Sequence, residues 1–214
     1  YEYMSTVKGM FCAGDASGAS SHKFSSGSHA EGRAAGKAMV RFVLENNTQP
    51  KVDAAQVDAL KAKILKPIDL FAEFGGKSSD PDINPEFMKP KMFMFRLQKI
   101  MDEYAAGVTA GFKTNKPKLD RALELLGWLK EDSEKLAAEN LHELMRCHEN
   151  IQRMYQAETH VRTILFREET RWPGYYFRND FPTLDEANWK VFVNCSLKDG
   201  NWEFKKVPII SIVD

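Results

Sequence analysis

No run of apolar residues in this 214-residue chain reaches the roughly 18 that a membrane-spanning helix needs. The opening Tyr1-Glu2-Tyr3-Met4 lacks the basic stretch and apolar run of a secretory signal. Neither sign of charge is in excess, with Lys+Arg and Asp+Glu at 30 each, so net charge gives no footprint for nucleic acid or a membrane surface. Cysteine is scarce. Cys12, Cys147 and Cys195 are odd in number and far apart, which argues against a disulfide framework and suits a reducing cytoplasm. The same spacing excludes an iron–sulfur cluster held by this chain alone, since such a cluster needs about four clustered thiolates. Also missing are the Gly-x-Gly-x-x-Gly dinucleotide fingerprint, a Walker loop and a hydrolase nucleophile elbow.

What is present is an ordinary globular composition, 43% hydrophobic and 28% charged, long enough for one or two domains. The order of elements predicts an α+β fold, mainly α. Residues 1–50 read as a short buried strand over Gly9–Gly14, a Gly/Ser-rich loop and a helix over Ala30–Glu45. Residues 51–170 read as a helical domain. Its helices are expected at about Asp53–Phe74, kinked or broken by Pro67, then Lys91–Ala106, Pro117–Leu136 and Ala138–Glu169. Residues 171–214 read as a tail with strands over Trp189–Ser196 and Trp202–Val207, joined by the turn Lys198-Asp199-Gly200-Asn201. A single opening strand cannot make a stable sheet, so sequence preceding residue 1 is expected to complete it.

The chemistry is expected in the segment Gly14 to Arg33. A strand end, a Gly-rich turn and a helix start form the usual cofactor-binding arrangement of α/β proteins. An acid directly after the strand, Asp15, can accept hydrogen bonds from ribityl or sugar hydroxyls. Ser28 followed by Glu31 fits a capping box that places the helix start near Ser28. Free amides and the positive end of the helix dipole would then face a bound group. A common helix cap without catalytic role explains the same residues, and for Glu31 capping is the preferred reading. His22 lies in a loop, His29 in the first helical turn with a structural role, and Lys23 faces either solvent or an anion.

Gly9-Met10-Phe11-Cys12-Ala13-Gly14-Asp15, with Ser21-His22-Lys23-Phe24-Ser25-Ser26-Gly27-Ser28 and Glu31-Gly32-Arg33, closely resembles the C-terminal FAD-binding segment of adenylylsulfate reductase flavoprotein subunits. Those subunits belong with the flavoproteins of succinate dehydrogenase and fumarate reductase. The resemblance makes residues 1–50 the C-terminal piece of an FAD-binding α/β domain. It implies that Gly14, Asp15, Ser25, Ser26, Gly27 and Ser28 bind FAD, with Asp15 on the ribityl chain. His22 is implied as catalytic and, with Lys23, as substrate-binding. Where the dicarboxylate enzymes carry Asn-Arg-Leu-Gly, whose Arg clamps a carboxylate in bidentate fashion, this chain has His22-Lys23-Phe24-Ser25. The implied substrates are adenosine 5′-phosphosulfate, sulfite and AMP, and the implied partner is an iron–sulfur beta subunit. This polypeptide by itself is expected to be inactive.

A second stretch, Arg167-Glu168-Glu169-Thr170-Arg171-Trp172-Pro173-Gly174-Tyr175-Tyr176-Phe177-Arg178-Asn179-Asp180-Phe181-Pro182, resembles the tail motif of the same superfamily. Charge pairing that fixes the chain's turn is the preferred reading of Arg171, Arg178 and Asp180, ahead of docking a partner subunit. Cys147 and His148 stand five and six residues from His142 on a helix, spacings that point to different faces and do not converge on a metal as i,i+4 pairs do. The rival readings are a fumarate reductase or succinate dehydrogenase flavoprotein fragment and a non-enzymatic helical docking module.

Overall fold

The computed structural model describes residues 1–17, 24–78, 80–171 and 175–210. The chain is mainly helical with a few short strands, and its contacts divide it into two units, Tyr1–Val57 and Asp58–Asp214.

In the first unit the expected strand over Gly9–Gly14 does not form. A strand's amides and carbonyls need a neighbouring strand, and here the segment folds back on itself. Met4 and Phe11 make a single antiparallel bridge. Around it Ser5 N donates to Met10 O at 2.8 Å and Cys12 N to Tyr3 O at 3.0 Å. Gly14–Ala16 is one turn of 3₁₀ helix. After it comes α1 (Ser25–Glu45), which starts earlier than the capping-box reading requires. Buried residues of α1 fall at Glu31, Ala35 and Ala38. With Ser28 and Phe42 they make one stripe at helical spacing. The amino-terminal segment covers this stripe at both ends. Gly14 sits on Ser28 and Glu31, while Tyr1 and Phe11 pack edge-on against Phe42 at centroid distances of 5.2 and 5.8 Å.

The second unit is built on α2 (Ala54–Phe74), α3 (Pro90–Tyr104), α4 (Lys116–Asp132) and α5 (Leu141–Phe166). Each of the last three buries a stripe at spacings of three and four: Phe93, Leu97 and Ile100; Leu119, Ala122, Leu126 and Leu129; and on α5 Leu144, Cys147, Met154, Ala157, Val161 and Ile164. Asn150 completes the α5 stripe and donates through Nδ2 to Pro90 O at 2.7 Å, which satisfies its buried amide. Asn115 caps α4 by accepting from Lys118 N, and Asn140 caps α5 by accepting from His142 N and Glu143 N.

Pro67 does not break α2. Its ring removes the helical hydrogen bond to Lys63 O and crowds the preceding turn, yet the helix continues through it and two nearby carbonyls accept from outside it. His148 Nε2 bonds Ile64 O at 2.9 Å, and Ala138 N donates to Pro67 O at 2.8 Å. Burial pushes the Cys147 thiol up to about 12, and its Sγ lies 3.8 Å from Ala137 O. Cys147 is therefore a core residue of α5.

The tail adds two small sheets. β1 (Lys113–Thr114) pairs in parallel with β2 (Phe177–Arg178), Thr114 opposite Arg178. One helical turn, α6 (Glu186–Trp189), precedes the antiparallel hairpin of β3 (Val191–Lys198) and β4 (Asn201–Pro208). The hairpin packs on the end of α5 through Phe204, whose ring stacks on Phe166 at 4.8 Å, with Trp189 edge-on to Phe166 at 5.6 Å.

Candidate functional site

Gly14 is buried with φ +66°, in the left-handed region that glycine enters without strain. A side chain there would also crowd α1, since an added Cβ would lie 3.3 Å from Ser28 Oγ. Asp15, the next residue, is exposed. The structure thus brings Gly14 against Ser28 and leaves the Asp15 carboxylate beside that contact and open to solvent.

Ser25, Ser26, Gly27 and Ser28 form the first turn of α1. Phe24 is the N-cap and makes no side-chain cap, and the turn holds no acidic residue. The amides of Ser25, Ser26 and Gly27 precede the first intrahelical bond, which is made by Ser28 N to Phe24 O at 2.9 Å. Among the described residues these amides have no partner, and a helix start so placed suits an electron-rich group. His29 bonds Ser25 O through Nδ1 at 2.6 Å, within its own helix. His22 and Lys23, the expected catalytic and substrate residues, lie outside the described residues.

The capping-box reading of Ser28 and Glu31 is corrected. With the helix starting at Ser25, Ser28 is already within it and needs no reciprocal cap. Glu31 instead accepts from Gly14 N at 2.7 Å through Oε2 and is only 3% exposed. Its signal in the sequence was its place on the Ala35/Ala38 stripe, where an acid is out of keeping with small apolar neighbours.

In the tail motif, the residues form a buried charge network. Arg178 is 1% exposed. It donates to the carbonyls of Ile164, Leu165 and Arg167, closing the end of α5, and forms a two-pronged pair with Asp180 at 2.9 and 2.8 Å. Asp180 Oδ2 also accepts from Lys116 N at the start of α4. These Arg178 hydrogen bonds, with the Lys116 amide, hold the Asp180 carboxyl below its ordinary range. Glu169, with no exposed surface, accepts from Arg167, Arg171 and the Asp185 amide. Burial raises its pKa, but these bonds outweigh that and leave it lowered. Arg171 also pairs with Glu186 at 2.7 Å. The described residues of this motif pair charges and fix the chain's course, as the preferred sequence reading held.

A cleft of about 550 Å³ on the helical unit is lined by Phe87, Met88, Met92, Phe95 and the cations Lys89, Lys91 and Arg96. Its described lining holds no acid, histidine or hydroxyl.

No protein-family model matches the chain. It is 45% identical over its whole length to adenylylsulfate reductase subunit alpha of Megalodesulfovibrio gigas, of which it covers 32%. The chain is homologous to the adenylylsulfate reductase alpha subunit. Two solved structures agree, that of adenylylsulfate reductase from the hyperthermophile Archaeoglobus fulgidus and that of an adenosine-5-phosphosulfate reductase in complex with sulfite as a covalent adduct. Each matches all of this chain with TM-score 0.90 and 52% identity, over 34% of its own length. The Escherichia coli quinol fumarate reductase FrdA, with an E245Q mutation, matches 97% of the chain and 35% of its own length at TM-score 0.69 and 17% identity, which shows a shared fold. The chain therefore spans about a third of the adenylylsulfate reductase subunits it matches, and its fold is that of the corresponding part of those flavoproteins. No helix among the described residues is long and apolar enough to cross a membrane.

Proposed function

We propose that the chain is part of the FAD-containing subunit of an adenylylsulfate reductase, a cytoplasmic enzyme for the reversible two-electron reduction of adenosine 5′-phosphosulfate. In that reaction the sulfur–oxygen bond to the AMP phosphate breaks, two electrons and protons are taken up, and sulfite and AMP leave. The observation that carries the reading is identity of 45–52% along the whole chain, with the sulfonucleotide-type His22-Lys23-Phe24-Ser25 in place of the dicarboxylate Asn-Arg-Leu-Gly. The turn's geometry supports it: glycine at a left-handed position, an open acid beside it and a helix start with free amides.

FAD, when bound, supplies the two-electron transfer. Gly14 lets the backbone approach the cofactor, and Asp15 accepts hydrogen bonds from its ribityl hydroxyls. The first turn of α1, Ser25, Ser26, Gly27 and Ser28, presents amides and hydroxyls to the ring and stabilises negative charge there. His22 stands on the substrate side and stabilises charge developing on the sulfate, with Lys23 attracting the anion. Electrons arrive from an iron–sulfur beta subunit, the partner that the resemblance implies; the three scattered cysteines of this chain do not themselves hold a cluster.

The test is an assay of the full-length protein with its partner subunit. AMP-dependent sulfite oxidation is expected; succinate oxidation without it would instead make the protein a dicarboxylate enzyme. Absence of flavin absorbance from the full-length protein would leave only a helical docking module. Replacing His22 by Ala is expected to lower turnover about 100-fold with FAD still bound, the usual range for a positioned charge-stabilising group; unchanged turnover would remove His22 from the site.

A further inference from the structure

We propose that Glu31 is the positioning residue of the cofactor turn, an inference that rests on the FAD reading above. Among the described residues, the turn Gly14–Ala16 meets α1 at Ser28 and at Glu31, three residues apart on one helical face. The Ser28 attachment is steric. Its side chain sits under the Gly14 Cα, and any larger residue at 14 would meet it at 3.3 Å. The Glu31 attachment is polar and directional, a carboxylate oxygen 2.7 Å from the Gly14 amide.

The amide of a residue at positive φ has no place in a regular ladder, so something else must satisfy it once it is buried. A short polar side chain on α1 at position 31 would not span the gap that a glutamate spans. The Glu31 carboxylate is nearly enclosed, 3% exposed, where an acid without a donor would carry a heavy desolvation cost. Its bond to Gly14 supplies one donor to that carboxylate and ties the two residues together. Asp15 is the next residue, and its exposed carboxylate inherits the direction that the Gly14 peptide is given. Ser25–Ser28 belong to the same helix as Glu31, so one bond sets the spacing between the ribityl-side acid and the ring-side first turn. Glu31 is buried, away from the open face where Asp15 lies. It acts through Gly14.

Glu31→Gln and Glu31→Met in the full-length holoenzyme separate this role from general packing, because the two are close in shape and only Gln keeps an oxygen that accepts from the Gly14 amide. Dissociation of FAD is followed by flavin fluorescence, and the flavin midpoint potential is measured alongside. The Gln variant is expected to hold FAD within about threefold of the unaltered protein, and the Met variant to lose about tenfold or more, the scale of a buried hydrogen bond to a charged acceptor. In the Met background, further change of Asp15→Ala is expected to add little, since the two act in series. Equal FAD affinity in the Gln and Met variants overturns the proposal, as does full additivity of the Met and Asp15→Ala losses. If the Met variant does not fold, Glu31→Asp takes its place, one methylene too short for the bond, and retention of FAD by that variant overturns the proposal. A full-length unaltered protein without flavin would instead overturn the FAD reading itself.

Discussion

Arg178 closes the end of α5, and its chemistry sets a sharp expectation. The last carbonyls of a helix have no intrahelical donor. Here one planar guanidinium reaches those of Ile164 and Leu165, together with Arg167 O just beyond, and still pairs with Asp180 through its other edge. Removing it leaves the carbonyls at the end of α5 without that donor and the partly exposed Asp180 carboxylate with the Lys116 amide alone. Arg178→Ala is expected to destabilise the helical unit by about 1–3 kcal/mol, the range for leaving buried acceptors without a donor. Arg178→Lys should recover little of that, because an ammonium cannot serve the carbonyls and the carboxylate at once. Urea unfolding followed by circular dichroism checks both, and a Lys variant as stable as the unaltered protein would show that charge alone suffices. The charge network was legible only as a set of paired residue types. That Glu169 and Arg178 are its enclosed members could not be read, since burial here comes from α5, β2 and α6 meeting across many residues.

At the scale of elements, the local signals were the legible ones. The existence of α3, α4 and α5 and the Asp199-Gly200 turn follow from spacing and residue type, though the Asn115 and Asn140 caps and the exact buried stripe of α3 were not read. What escaped depended on distant partners: α2 runs through Pro67, where His148 and Ala138 bond nearby carbonyls, and β1 pairs with β2 over only two residues. The expected strand at Gly9–Gly14 failed for the converse reason, that no strand lies beside it within the described residues. The hairpin tests how far local chemistry decides. Asp199 and Gly200 both have positive φ, 48° and 79°, the pattern of a two-residue turn matched to the twist of its strands. Gly200→Val puts a β-branched side chain where it is strained by roughly 1–3 kcal/mol. The β3–β4 end is then expected to open. Trp202, which the Arg162 guanidinium covers at 5.3 Å, should shift its emission to the red, while Asp199→Asn should leave it unchanged. An unshifted Trp202 in the Val variant would mean that packing of Phe204 on Phe166 holds the hairpin without its turn.

For the whole molecule, the division into Tyr1–Val57 and Asp58–Asp214 makes the cofactor reading testable without any assay of turnover. Every residue proposed to hold FAD lies in the first unit, and the apolar core of α3, α4 and α5 lies in the second. A ligand that binds only the folded state stabilises whatever must stay folded to bind it, by about 2.7 kcal/mol at a hundred times its dissociation constant. Amides that exchange through local opening of the first unit should therefore slow by about a hundredfold when FAD is added to full-length apoprotein. Gly14 and the early turns of α1 are where this should be seen. Amides in the middle of α4 and α5, which exchange through opening of the helical core, should change far less. Hydrogen exchange read by mass spectrometry gives both regions in one experiment. Protection spread evenly over α3–α5 with none at Gly14 or α1 would place the cofactor's grip elsewhere and detach the turn from the function proposed for it.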